Sequence, residues 1–146
     1  MAQYRIAKAL DTLRTQVQTA FPKAPKREFG WIGDASHRAH KSDHNPNKNG
    51  VVLALDIPHR PRIGLDTYAL ADYMIAHPDE RARYIISNSR IAGTADFVKQ
   101  NPKYRCPGPW QWGRYRGKNK HGQHMHVSAS HDEDLYDGTN KWDLGF

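Results

Sequence analysis

Three of the chain's nine histidines fall within six positions, in the segment His121-Gly122-Gln123-His124-Met125-His126. The alternation of residues 124–129, His-Met-His-Val-Ser-Ala, predicts a strand, on which side chains at i and i+2 share a face. His124, His126 and Ser128 then stand on one side, while Met125 and Val127 enter the core from the other. Two imidazoles side by side on a strand backed by apolar packing make a rigid platform for a ligand. The same pair would also suit a strand whose outer face meets solvent.

Some seventy residues upstream, the run Val51-Val52-Leu53-Ala54-Leu55-Asp56-Ile57 contains one carboxylate. Burying it is costly unless it is paired or bound to a metal, so Asp56 calls for an arginine, a loop N–H or a cation. Just before this run, Ser42-Asp43-His44-Asn45-Pro46-Asn47-Lys48-Asn49-Gly50 places His44 in a loop shaped by Pro46 and Gly50. Singly, each has an ordinary reading: a surface histidine, a capping carboxylate, a strand histidine. Together His44, Asp56 and His126 offer two nitrogens and one oxygen. Three protein ligands with a fourth position open to water is the pattern of catalytic Zn2+. Such an ion lowers the pKa of its water to about 7 and polarises a carbonyl oxygen.

Several elements must position these residues. Ile6, Leu10, Leu13, Val17 and Phe21 recur at helical spacing and predict a helix over about residues 3–20, ended by Pro22. Residues 22–50 read as a long irregular stretch of the kind that often carries function. Residues 51–57 predict a central strand, with Val51, Leu53, Leu55 and Ile57 on one face. Asp66 is a fitting N-cap for a helix over about 67–76 that turns Ala69, Leu70, Tyr73 and Met74 inward. Arg83-Tyr84-Ile85-Ile86-Ser87 predicts another strand. Residues 99–123 are rich in Lys, Gly, Pro and aromatics, among them Trp110, Trp112 and Tyr115, which suit either a cleft wall or the core. Trp142 and Phe146 would pin the polar tail. The expected class is α+β: one domain over residues 1–146, with a small central antiparallel sheet flanked by helices.

At these residues the chain resembles a known family. Ser42-x-His44, the strand ending Ala54-x-Asp56-Ile57, and His124-x-His126-Val127-Ser128 are similar to the zinc peptidases of the D-alanyl-D-alanine carboxypeptidase and Hedgehog-fold superfamily. The wider segments Gly33-Asp34-Ala35-Ser36-His37, Ser42 to Asn47, Gly50 to Ile57, His124 to Ser128 and Leu135 to Leu144 resemble its phage and prophage members, the endolysin-type cell-wall peptidases. The resemblance covers residues 30–144. It implies a Hedgehog/DD-peptidase-like fold, Zn2+ held by His44, Asp56 and His126, and a loop or ligand geometry steadied by Ser42. It further implies that His124 stands beside the metal, toward the developing oxyanion, without ligating it. His121 matches a third histidine of the penicillin-insensitive murein endopeptidase branch. Two departures stand out: eleven residues separate His44 from Asp56 where six are usual, and Gln123 occupies the place where several branches carry an acidic base. His121 or His124, or an acid from elsewhere, must then serve as base. The implied substrates are peptidoglycan stem peptides or cross-links, whose carboxylates suit a guanidinium; Arg38 and Arg90 are the candidates, each equally readable as a solvated surface arginine.

Composition bounds the rest. At 38% hydrophobic and 25% charged, the 146-residue chain has neither a disordered nor a membrane composition, and no apolar run reaches the length of a spanning helix. One cysteine, Cys106, excludes an internal disulfide and a thiolate zinc site. The net charge of +7 favours an anionic polymer as partner, although the charges are scattered, with no block of five alike. The start of the chain has no signal-peptide pattern. The expectation is therefore a monomer made in the host cytoplasm that acts on peptidoglycan after release, without nucleic acid or membrane insertion. Two rivals remain. Asp43-His44-Asn45-Pro46 with His59 resembles the start of a metal-dependent His-Asn-His nuclease, and the same zinc fold can serve as a non-catalytic module.

Overall fold

A computed structural model describes residues 3–31 and 42–146. It is α+β: a five-stranded antiparallel sheet and, among the described residues, four α-helices. The strands of the sheet are β3 (Ala54–Pro58), β4 (Ala82–Ser87), β5 (Arg90–Gly93), β6 (Gly113–Arg114) and β7 (His124–Ala129), in the order β3-β7-β4-β5-β6. A separate parallel pair joins β1 (Arg5–Ile6) to β2 (Val51–Val52). The helices are α1 (Lys8–Ala20), α2 (Thr67–Ala76), α3 (Ala95–Gln100) and α4 (Glu133–Tyr136).

The sheet's two faces do different work. Leu55, Ile57, Ile85, Met125 and Val127 are fully buried on one of them. Against it pack Ala9, Leu10, Leu13 and Val17 of α1, together with Leu70, Ala71 and Met74 of α2. The inward set of α2 thus includes Ala71 in place of Ala69, which is exposed. The opposite face, reached by Asp56, His126 and Ser128, carries a smaller apolar cluster of Ile86, Ile91 and Phe97 edged by Tyr84, Tyr104 and Tyr115.

Two expected elements are shorter than their hydrophobic pattern. The first helix begins at Lys8, because the backbone before it is committed to β2: Arg5 N–H donates to the Gly50 carbonyl and Ala7 N–H to that of Val52, both at 3.0 Å. The run 51–57 breaks at Leu53, whose N–H turns to the Asp43 carbonyl at 3.2 Å while its own carbonyl accepts from Ala129 N–H at 2.8 Å. The break ties the His44 loop to the start of β3. The helix over 67–76 and the strand over 124–129 fall where expected, the former with Asp66 accepting from the N–H groups of Tyr68 and Ala69. Strands β5 and β6 and helix α3 arise in segments where no element was expected.

The tail is held by Trp142, which is buried and donates its indole N–H to the Ala9 carbonyl at 2.8 Å. Gln16 brackets the Trp142 backbone through both its amide groups, and the Arg81 guanidinium lies 4.4 Å over the ring. Phe146 meets Phe21 edge-on but stays more than half exposed. Trp142→Ala should therefore cost about 3–5 kcal/mol, read as a lower denaturation midpoint, whereas Phe146→Ala should change it little.

Candidate metal centre

The antiparallel register sets Asp56 of β3 directly opposite His126 of β7. His44 approaches from its loop, where the Asn47 side chain accepts from the N–H groups of Asn49 and Val51 and Gly50 takes a left-handed φ of +75°. A Cβ at Gly50 would also press on the Gln3 carbonyl, at 3.2 Å. Ser42 Oγ accepts from His44 N–H at 3.2 Å, so its role is to hold the loop's shape.

Three atoms converge from these elements. His44 Nε2 lies 3.2 Å from His126 Nδ1, and Asp56 Oδ1 lies 3.3 Å from each of those nitrogens. Zinc bonded to nitrogen and oxygen at about 2.0–2.1 Å in a tetrahedron separates its ligand atoms by about 3.3–3.4 Å. The triangle has those edges. His44 and His126 are buried and Asp56 is nearly so, and the three are within reach of one ion.

The surrounding bonds decide where the ring protons sit. His44 Nδ1 is 3.0 Å from the Trp31 carbonyl, which can only accept, so Nδ1 carries the hydrogen and Nε2 turns its lone pair inward. His126 Nε2 is 2.7 Å from Ser128 Oγ. The Ser128 hydroxyl in turn helps to hold the Asp43 carboxyl below its usual range, so the hydroxyl accepts from His126 and leaves Nδ1 unprotonated. Two lone pairs and a carboxylate oxygen then face one another. Asp56 Oδ1 is buried with no hydrogen-bond partner, an arrangement a cation resolves. Ring partners of this kind orient the ligand and raise its basicity.

Charge follows the same geometry. Burial pushes the Asp56 carboxyl up, but the adjoining His126 and His44 outweigh it and hold the group ionised well below the usual carboxylate range. Burial pushes His44 down, yet Asp56 and the Trp31 carbonyl bring it above its ordinary value, while the more deeply buried His126 ends below its own. Asp43 is held low against its burial by the Arg83 guanidinium, 2.5 Å away. Tyr84 stacks on the His126 ring with centroids 5.4 Å apart.

His124 and His121 flank the triad. His124 Nε2 is 3.5 Å from Asp56 Oδ2, the oxygen turned away from the other two histidines. His121 is buried, packs edge-on against His124 and His126, and has an Nδ1 with no hydrogen-bond partner. Burial and the nearby His126 push its pKa down to about 4. It is therefore neutral at pH 7.

His44, His121 and His126 line a cleft of about 1330 Å³ whose walls include Arg83, Tyr84 and Tyr115. Arg83, Asp43 and Trp31 escaped the sequence reading; Arg83 and Asp43 are distant in sequence, and a backbone carbonyl such as that of Trp31 leaves no residue signature. Of the expected carboxylate binders, Arg90 lines a different cleft and Arg38 lies outside the described residues. Gln123 is exposed at the entry to β7. His59 is engaged by Thr67 Oγ1 at 3.0 Å and stacks on Tyr68, so it is spent on the start of α2. Tyr115 walls the metal cleft, whereas Trp110 packs on the main core and Trp112 borders the cleft of Arg90.

No family model matches the chain, and neither a curated protein nor a solved structure matches it.

The geometry predicts that His44, Asp56 and His126 hold a divalent metal ion. His126→Ala should abolish binding, and Ser128→Ala, which removes only the orienting hydroxyl, should weaken it by about 10–100-fold. Metal content after dialysis against graded chelator measures both.

Proposed function

We propose that the chain is a zinc-dependent peptidase with a Hedgehog/DD-peptidase-like fold, acting on the stem peptides or cross-links of peptidoglycan in the manner of an endolysin. The observation that carries this reading is the triangle of His44 Nε2, His126 Nδ1 and Asp56 Oδ1, with edges of 3.2–3.3 Å and both ring protons directed elsewhere. The substrate class rests on the Ser42-x-His44, Ala54-x-Asp56 and His124-x-His126 motifs and on a cleft open enough for a peptide.

Zinc held there supplies an activated water near neutral pH and a Lewis acid for the scissile carbonyl. The protein's own groups divide the proton and charge work. His121, neutral and with an unpartnered ring nitrogen, would be the group to accept a proton from the attacking water and pass it to the leaving amine. His124, against Asp56 Oδ2, stands ready to donate to the oxyanion. In this scheme the exposed Gln123 has no part. Arg83 lines the cleft wall with Nη2 on Asp43, and the rest of its guanidinium is the candidate to meet a substrate carboxylate.

Purified cell walls incubated with the zinc-loaded protein should release peptides with new amino termini, detected by mass spectrometry, which also identifies the bond cut. Chelation should stop release and added zinc restore it. His121→Ala should lower the rate by about 10²–10⁴-fold while zinc content stays intact. Full zinc binding with no peptide released from any wall preparation would instead mark a non-catalytic zinc module.

Acid should inactivate the enzyme through the metal site. His44 has its pKa raised and so gains a proton first as pH falls, in competition with zinc, whereas His121 protonates only near pH 4. Zinc content and rate, measured on the same samples across the acid range, should fall together. A rate that dropped while zinc stayed bound would assign the acid limb to a base other than His121.

A further inference from the structure

The positive charge, scattered along the sequence, is not evenly divided. Residues 97–131 contain Lys99, Lys103, Arg105, Arg114, Arg116, Lys118 and Lys120 and no Asp or Glu; the rest of the chain holds 15 cations against 15 acids. The whole net charge of +7 therefore resides in one segment.

The fold gathers part of this charge into a cleft of about 680 Å³ lined by Arg90, Lys103, Arg105, Arg114 and Arg116 around Trp112, with no acidic residue in its lining. The β5–β6 ribbon separates it from the metal cleft. Arg114 and Arg116 line the basic cleft and Tyr115, between them, lines the metal cleft; likewise Arg90 faces one and Ile91 the other. In register, Arg90 stands directly opposite Arg114, a like-charge cross-strand pair that costs stability unless an anion lies against it. Arg90 has its Nε buried without a hydrogen-bond partner, and its nearest acid, Asp72, is 3.6 Å from Nη1.

Trp112 indicates the kind of anion. Its indole N–H is taken by Asp72 at 2.8 Å, and the Arg90 guanidinium covers its ring at 4.5 Å. Nucleic-acid grooves that follow a single strand offer aromatic faces for the bases; here that face is occupied. A recess between guanidinium groups suits a narrow chain better than a flat bilayer. We propose that this cleft docks a polyol-phosphate polymer of the cell envelope, a phosphodiester chain without bases, and so tethers the metal cleft on the other side of the ribbon to the wall. The envelope source rests on the peptidase reading; the phosphodiester chemistry does not.

The test uses the full zinc-loaded chain and end-labelled poly(glycerol phosphate), with binding followed by fluorescence anisotropy. The wild type should bind, and more weakly as salt rises. Arg114→Glu/Arg116→Glu should weaken binding by about tenfold or more while leaving zinc content and peptide release from short soluble wall fragments unchanged. The same charge change at the exposed Lys26 and Arg27, outside the cleft, should have little effect. Equal loss in both double variants would overturn the proposal in favour of net charge alone. Tighter binding to an oligothymidylate with the same number of phosphates would overturn it in favour of nucleic acid. Polymer binding that persists in a protein releasing no wall peptides would remove the peptidase reading and leave the phosphodiester cleft standing.

Discussion

The pairing of Asp56 with His126 across β3 and β7 is the contact on which the rest depends. It puts a carboxylate and an imidazole side by side on the face of the sheet opposite the main core, while Leu55, Ile57, Met125 and Val127 fill the other face. A slip of one residue in either strand would turn the apolar set outward and bury the polar one. The core therefore helps to fix the site: the same burial that stabilises the sheet forbids any slip that would exchange its two faces. The third ligand needs a separate device, and the Leu53–Asp43 backbone bond supplies it by fastening the His44 loop to the residue just before the strand.

A carboxylate this buried cannot be left uncompensated, and the histidines around it cannot all be protonated. The outward bonds of the two rings, to the Trp31 carbonyl and to Ser128, settle which nitrogens keep their hydrogens. Those bonds turn three electron-pair donors toward one point, close enough together to hold a cation.

Much of this was legible in the sequence, for identifiable reasons. The strand over 124–129 has strict alternation, and the helix over 67–76 has Asp66 as a cap, so local physics and tertiary structure agree there. The proximity of His44, Asp56 and His126 was legible because together they offer two nitrogens and one oxygen, a pattern more specific than any one of them. Strand β5 was not, since its turn uses Asn88 and Ser89 at positive φ instead of a glycine pair. Helix α3 spans only six residues and is started by Thr94, too short for its period to stand out. Arg83 was hidden because its ion pair with Asp43 joins positions forty residues apart. The charge asymmetry forms no run of like charge, because it consists of acids absent from residues 97–131.

The backbone at His121 bears on the choice between an enzyme and a zinc store. Its φ of +55° is uncommon for a residue other than glycine. Two bonds hold it: His121 N–H to the Asn119 side chain and Asn88 N–H to the His121 carbonyl, both at 3.0 Å. The result is an imidazole placed beside His124 and His126 yet outside the ligand triangle, buried and uncharged. On the proposed peptidase reading, three ligands leave a tetrahedral ion one position open, and the imidazole that a positive-φ backbone holds beside the triangle is the group that reading assigns as base.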